Sequence, residues 1–123
     1  MGAMTGVRVL SLMSAQKVDL PGGSWSRMVI AASTVGETRA ALGYSVFRPH
    51  TVTASVSHEV EEVAFVVDGR GELRLEDGAA PFGPGDALFI PPNTWHAVAN
   101  TGEADVVMVF AFPHPDYPPT KRR

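Results

Sequence analysis

Short runs rich in Val, Ile, Phe and Thr recur along the chain, separated at regular intervals by Gly, Pro, Asn and Asp. That is the pattern of an all-β sandwich or barrel. The runs "VRVLSL", "SRMVIAAS", "RAALGYSVF", "TVTASVS", "VAFVVDG", "GELRLED", "DALFIP", "HAVAN" and "DVVMVFAF" each predict a strand. The breakers have physical reasons to break: "DGRG" and "EDG" supply positive φ for tight turns, whereas "FGPGD" and "PPN" remove donors and fix φ. No segment carries a helical period beyond about one turn, and no repeat or linker divides the chain. The expectation is one domain over residues 1–123, with N-terminal strands within 7–33, a core over about 40–112 and a tail over 113–123. The tail, "PHPDYPPTKRR", is too proline-rich for a strand and is expected to lie extended over the barrel or a neighbouring subunit.

Parity within one stretch raises a chemical question. From Val52 to Val66 the even positions are Val52, Ala54, Val56, His58, Val60, Glu62, Ala64 and Val66, apolar except for His58 and Glu62. Side chains alternate between faces, so the even set is expected inside, and His58 and Glu62 with it. A buried carboxylate needs a cation, a hydrogen-bond network or a raised pKa. A straight strand would hold the two residues roughly 13 Å apart, whereas ligands lie about 2 Å from a shared metal ion. The geometry that remains is a strand ending near His58, a turn through Glu59 to Glu61, and a new strand starting at Glu62, with the two side chains converging from adjacent strands.

Composition narrows the chemistry. The chain has 123 residues, enough for one core. A formal charge of -3 leaves no basic surface for nucleic acid, the terminal Lys121, Arg122 and Arg123 being the one positive cluster. There are no cysteines, so a metal must be held by His and carboxylate. No run approaches the roughly 20 apolar residues of a membrane span, and the first residues lack the apolar core and cleavage site of a signal peptide. The reading is a soluble, cytoplasmic protein without a membrane or nucleic-acid partner.

A second stretch, "GPGDALFIPPNTWHAVANTG", places a Gly-Asp turn before an apolar strand that ends in Pro91-Pro92-Asn93, with His96 four residues before Asn100. Together the two stretches resemble the two motifs of the cupin superfamily, small jelly-roll barrels also described as double-stranded β-helices. The first motif runs G-x5-H-x-H-x3/4-E-x6-G, and His58-x3-Glu62-x6-Gly69 matches its second half. The second runs G-x5-P-x-G-x2-H-x3-N, matched by Gly85, Pro91, His96 and Asn100, with Asn93 at a glycine position. Asn tolerates the left-handed conformation that Gly would adopt there.

The resemblance implies a metal site with one ligand missing. Cupins often hold a divalent ion with three His and one Glu; here Val56 stands at the first histidine position and His50 where a leading Gly is usual. His58, Glu62 and His96 remain, a set able to bind Fe(II), Mn(II), Ni(II) or Zn(II) with open positions for water, substrate or oxygen. Three functional classes follow: a metalloenzyme acting on a small organic substrate (a dioxygenase, isomerase, cyclase or lyase), a non-catalytic module binding a small molecule, and a structural protein whose cluster is a relic. The retained triad favours the enzyme, although no separate inward acid or base can be nominated.

Other residues receive simpler readings. His50 and His114 are read as loop and surface histidines rather than ligands, and Glu59 and Glu61 as solvated turn residues. Trp95 is turned away from His96 and is expected in the core, as are Phe47, Phe65, Phe89, Phe110 and Phe112. Asn100 is expected to support backbone near His96. A homodimer is expected, the apolar segment "VRVLSLM" or "SRMVIAAS" packing on the partner sheet and Tyr117 anchoring the tail across a pocket mouth.

Overall fold

The alternating pattern folds into two antiparallel sheets packed face to face. A computed structural model describes residues 6–123; residues 1–5 of the expected domain lie outside it. The strands are β1 (Lys17–Asp19), β2 (Trp25–Ile30), β3 (Ala41–Phe47), β4 (Val56–His58), β5 (Glu62–Asp68), β6 (Gly71–Leu75), β7 (Gly78–Phe82), β8 (Ala87–Ile90), β9 (His96–Ala99), β10 (Val106–Phe112) and β11 (Thr120–Arg122). One sheet runs β1-β2-β3-β10-β5-β8 and the other β11-β4-β9-β6-β7. This is the expected jelly-roll barrel. Among the described residues the one α-helical turn, α1, covers Ala32–Val35, and no helix is long and apolar enough to cross a membrane.

The core follows from period-two alternation. Along β10 every second residue, Val106, Met108, Phe110 and Phe112, is buried against Phe47, Ala64 and Val66 from its neighbours. β10 pairs with β3 on one side and β5 on the other, so it forms the centre of the six-stranded sheet. Gly43 lies directly opposite Phe110. A Cβ at Gly43 would come within 2.1 Å of Phe110 Cζ, so the absent side chain is the space that the ring occupies.

Several sequence expectations are corrected. "VRVLSL" is not a strand: Val7 and Val9 are 98% and 96% exposed, and the segment runs into a short 3-10 turn over Leu12–Ser14, capped by the Ser11 side chain. Among the described residues it has no ladder partner. The tail does contain a strand, β11, which pairs with β4 through Thr120↔His58 and Arg122↔Val56. Pro118 and Pro119 precede it, and β11 lies at a sheet edge, where one side of the backbone needs no partner. Edge position also accounts for β7, unpredicted because "GAAPF" has low strand propensity and contains a proline. The three-residue β1 was equally unforeseen.

In "TVTASVS" the strand begins only at Val56, and Val52 is half-exposed in an isolated bridge to Ala99. Phe65 and Phe89 lie on the outer face, 50% and 63% exposed, because the alternation that buries Ala64 and Val66 turns Phe65 outward. Phe47, Phe110 and Phe112 are core, as expected.

Asn100, 1% exposed, supports backbone as expected, but at the end of β3 and in the turn after β9 rather than beside His96. Its Nδ2 donates to the Phe47 and Ala104 carbonyls at 2.8 and 2.9 Å, and its Oδ1 accepts from Gly102 N at 3.0 Å. One amide thereby ties the end of β3 to the turn between β9 and β10. Asn100→Ala should leave these buried groups without partners and lower the unfolding free energy by about 2–4 kcal/mol. Urea denaturation of the variant checks this; a change under about 0.5 kcal/mol would show that the brace is dispensable.

Candidate metal centre

The three expected ligands meet. β4 ends at His58, the chain turns through Glu59 to Glu61, and β5 opens at Glu62, as parity and distance require. The route differs from the expectation in one respect. β4 and β5 belong to opposite sheets, so His58 and Glu62 converge across the barrel interior rather than from paired strands. His96 opens β9, the neighbour of β4, where it lies directly opposite Val56. One candidate ligand atom from each of His58, Glu62 and His96 lies within 4.8 Å of the others. Glu62 Oε1 is 3.2 Å from His58 Nε2 and 3.4 Å from His96 Nε2, and the three side chains are 14%, 3% and 6% exposed, respectively.

Hydrogen bonds behind the rings fix which nitrogen faces the cluster. His96 Nδ1 is 2.8 Å from the Thr94 carbonyl, which can only accept, so Nδ1 carries a proton. His58 Nδ1 is 2.7 Å from Thr120 Oγ1, and that hydroxyl donates its own hydrogen to the Pro118 carbonyl at 2.8 Å. Thr120 therefore accepts, and His58 Nδ1 is also a donor. In the neutral rings both Nε2 lone pairs then point at a carboxylate. Three electron-rich atoms converging in this way call for a cation or shared protons, and a set of two imidazoles and one carboxylate oriented from behind fits a divalent transition metal.

The ligand loops are held from the backbone. Asn93 adopts φ 60, the left-handed conformation expected of it, and its N–H donates to the His58 carbonyl at 2.7 Å. The "PPN" turn before His96 is thus tied to the last residue of β4. His58 is also enclosed by aromatic rings: Phe112 at 5.0 Å, His96 at 5.1 Å and Tyr117 at 5.4 Å between centroids.

Charge within the cluster is mutually supporting. Burial pushes the Glu62 carboxyl up, but hydrogen bonds and charge from His58 and His96 outweigh it, and the net shift is downward from 4.5. For His96 burial disfavours the charged ring, yet the bonds to Glu62 and Thr94 and the Glu62 charge raise its pKa above 6.5. Tyr117 is raised by burial and by the Glu62 charge, against smaller opposing effects of Thr120 and Arg122.

The cluster opens into a cavity of about 160 Å³ whose wall includes Phe47, Val56, Met108, Phe110 and Phe112, with the half-exposed Tyr117 and the exposed Arg122 towards its mouth. Glu62 is its one lining carboxylate. Val56 lines the cavity, placing the absent fourth ligand position on the same wall. Tyr117 anchors the tail as expected, but over its own chain's pocket, packing on Phe112 at 5.6 Å.

The remaining candidates stay apart. His50 pairs with Glu103 at 3.2 Å on the surface, and His114 Nδ1 lies 2.8 Å from the Asp116 carbonyl. Trp95 is half-buried under the Arg123 guanidinium, 4.0 Å from its ring centroid, rather than in the core. Sequence reasoning missed Thr120 and Arg122 as parts of the site, because both belong to the tail that was not read as a strand.

Two predictions follow from this geometry. Titration calorimetry with Zn(II) or Ni(II) should give one ion per chain. Thr120→Val, which frees His58 Nδ1, should weaken binding about tenfold to a hundredfold, whereas Val56→His should tighten it at least about tenfold by adding an imidazole opposite His96. Unchanged affinity in both folded variants would contradict the assignment of the cluster.

The second concerns pH in chelator-treated protein. A lowered carboxyl pKa contributes stability above 4.5 that is lost as pH falls through the folded value, and a raised His96 pKa contributes stability below 6.5 that is lost as pH rises through its folded value. The thermal-stability advantage of wild type over Glu62→Gln should therefore be greatest between 4.5 and 6.5 and shrink on both sides. An advantage that keeps growing above that window would refute the coupling.

Comparison with known proteins agrees with this architecture. Residues 43–112 match the family described as Cupin domain. The chain is 32% identical over 95 residues to Protein SchB of Streptomyces halstedii, covering 73% of this chain and 69% of that one. It is 32% identical over 85 residues to Polyketide synthase CurC of Streptomyces cyaneus, covering 68% of this chain but only 55% of CurC. Among solved structures, the polyketide cyclase RemF from Streptomyces resistomycificus shares the fold with a TM-score of 0.79 at 24% identity, covering 95% of this chain and 85% of RemF. With a family match over more than half of its length and both sheets of the barrel in place, the protein belongs to the cupin family.

Proposed function

We propose that this protein is a metal-dependent enzyme that activates a small, oxygenated organic molecule for a cyclase-type ring closure. The observation that carries this reading is the convergence of His58 Nε2, His96 Nε2 and Glu62 Oε1 at one end of an otherwise largely apolar cavity. Among the reactions open to cupins, ring closure is favoured because one relative is named a polyketide synthase and a protein of the same fold a polyketide cyclase.

His58, His96 and Glu62 would hold the ion. A divalent ion there supplies Lewis acidity towards a substrate carbonyl. Apolar walls from Phe47, Phe110 and Phe112 exclude water and hold the part of the carbon skeleton next to the cluster folded, so that the two reacting carbons meet. Glu62, the one carboxylate lining the cavity, faces both imidazoles through Oε1, and its other oxygen, left free of the ion, would take a proton from carbon next to that carbonyl. Tyr117 at the mouth has a raised pKa and keeps its proton, so its hydroxyl can return one to a product oxygen.

Heptane-2,6-dione tests the chemistry, since aldol closure and loss of water yield a conjugated cyclohexenone that is followed by its absorbance. Metal-loaded wild type should accelerate closure at least about tenfold over free metal, and Glu62→Gln should abolish that gain. Oxygen consumption without ring closure would replace this reading with a dioxygenase. Metal-dependent binding of benzoylacetone, with no turnover of either compound, would leave a binding module.

A further inference from the structure

The cavity has a second polar place, away from the metal cluster. Ser45 on β3 is 4% exposed, and it lies directly opposite Ser26 on β2. Directly opposed residues in an antiparallel pair project from the same face, and both serines line the cavity. Neither hydroxyl has a hydrogen-bond partner among the described residues. Nearby hydroxyls are satisfied: Ser24 Oγ donates to Thr51 Oγ1 at 2.9 Å, and Thr53 Oγ1 accepts from Val98 N at 2.9 Å. Both hydroxyls face the cavity, and with no bond inside the protein each keeps its donor and its acceptor free for whatever occupies that space.

Register places the pair at a distance from the cluster. Met108 on β10 lies opposite both Ser45 and Val66. Ser45 is thus level with a residue four positions beyond Glu62 and two strands away, a backbone offset of roughly 13 Å along the strands and about 10 Å across them. Inward projection shortens the gap between the side chains. The wall between is apolar, with the Phe110 ring lying over Gly43 at its middle.

We propose that Ser26 and Ser45 form a second substrate subsite, which holds a hydroxyl or keto oxygen at the end of the substrate remote from the reacting carbonyl. Serine hydroxyls donate and accept, so the pair takes either group. The substrate class is then an apolar, ring-bearing molecule oxygenated at both ends, the near oxygen facing His58, Glu62 and His96. This rests on the reading of the cavity as a substrate pocket.

Calorimetry with 4-ethylphenol and ethylbenzene tests the subsite without using the metal. The ratio of their dissociation constants should favour the phenol in wild type and fall about fivefold to tenfold in Ser26→Ala/Ser45→Ala. Comparing ratios cancels the different hydration of the two compounds. If the double variant does not fold, Ser26→Ala at its half-buried position should lower the ratio about threefold. An unchanged ratio in the folded variant, or no binding of either compound to wild type, overturns the proposal. Benzoylacetone binding to the zinc-loaded protein separates the two readings. Metal-dependent binding with an unchanged phenol ratio refutes only the serine subsite, whereas a serine-dependent ratio without metal-dependent binding supports the subsite and refutes the proposed role of the cluster.

Discussion

Two imidazole nitrogens, each with its proton fixed on the far side of the ring, face one carboxylate inside an apolar barrel. That arrangement calls for positive charge between the three groups, from a metal ion or from a proton held on His96. A barrel built only for stability would fill these positions with apolar side chains, since replacing buried ionic groups by well-packed hydrophobic ones is often neutral or favourable. The cluster therefore costs packing energy, and the surrounding structure is organised to hold it in place. Thr94 and Thr120 fix the rings from behind, and the left-handed Asn93 locks the turn before His96 to the backbone of His58.

This dependence gives the C-terminal segment a role beyond covering an edge. β11 pairs with β4, so Thr120 is set opposite His58 and its hydroxyl reaches the ring. The same strand brings Arg122 to the cavity, and the turn before it brings Tyr117 over Phe112 and His58. Orientation of a ligand and shape of the pocket mouth are thus both set by one short edge strand, the element of a sheet most easily displaced. The bond between His58 and Thr120 is the direct link between the cluster and the tail.

The barrel and the meeting of His58, Glu62 and His96 were legible in the sequence because period two and motif spacing are local signals. Glu62, Ala64 and Val66 alternate inward as read, and a direct distance argument required the break between His58 and Glu62. What the sequence concealed was set by non-local pairing. β11 exists because β4 offers an edge, β7 because β6 does, and neither partner can be inferred from "PPTKRR" or "GAAPF" alone. Phe65 and Phe89 show the opposite error, in which residue type was allowed to override alternation that had already placed Phe65 outside. The serine pair was illegible for a related reason: Ser26 and Ser45 become neighbours only through the register of β2 with β3.

Val56 connects these points to chemistry. It lies opposite His96 and lines the cavity, so a valine side chain occupies the direction from which the family's usual further imidazole would approach. An ion at the cluster would be held less tightly than by four side chains, while the valine adds to the apolar wall and would leave a further coordination position open. With only three protein ligands, the rigidity of those three matters more than in a complete site, which is consistent with a hydrogen bond behind each imidazole and a backbone bond joining the two ligand-bearing segments. A largely apolar cavity with the polar cluster at one end and a distant pair of hydroxyls unbonded within the protein suits the proposed substrate, which binds by shape and by oxygens at both ends.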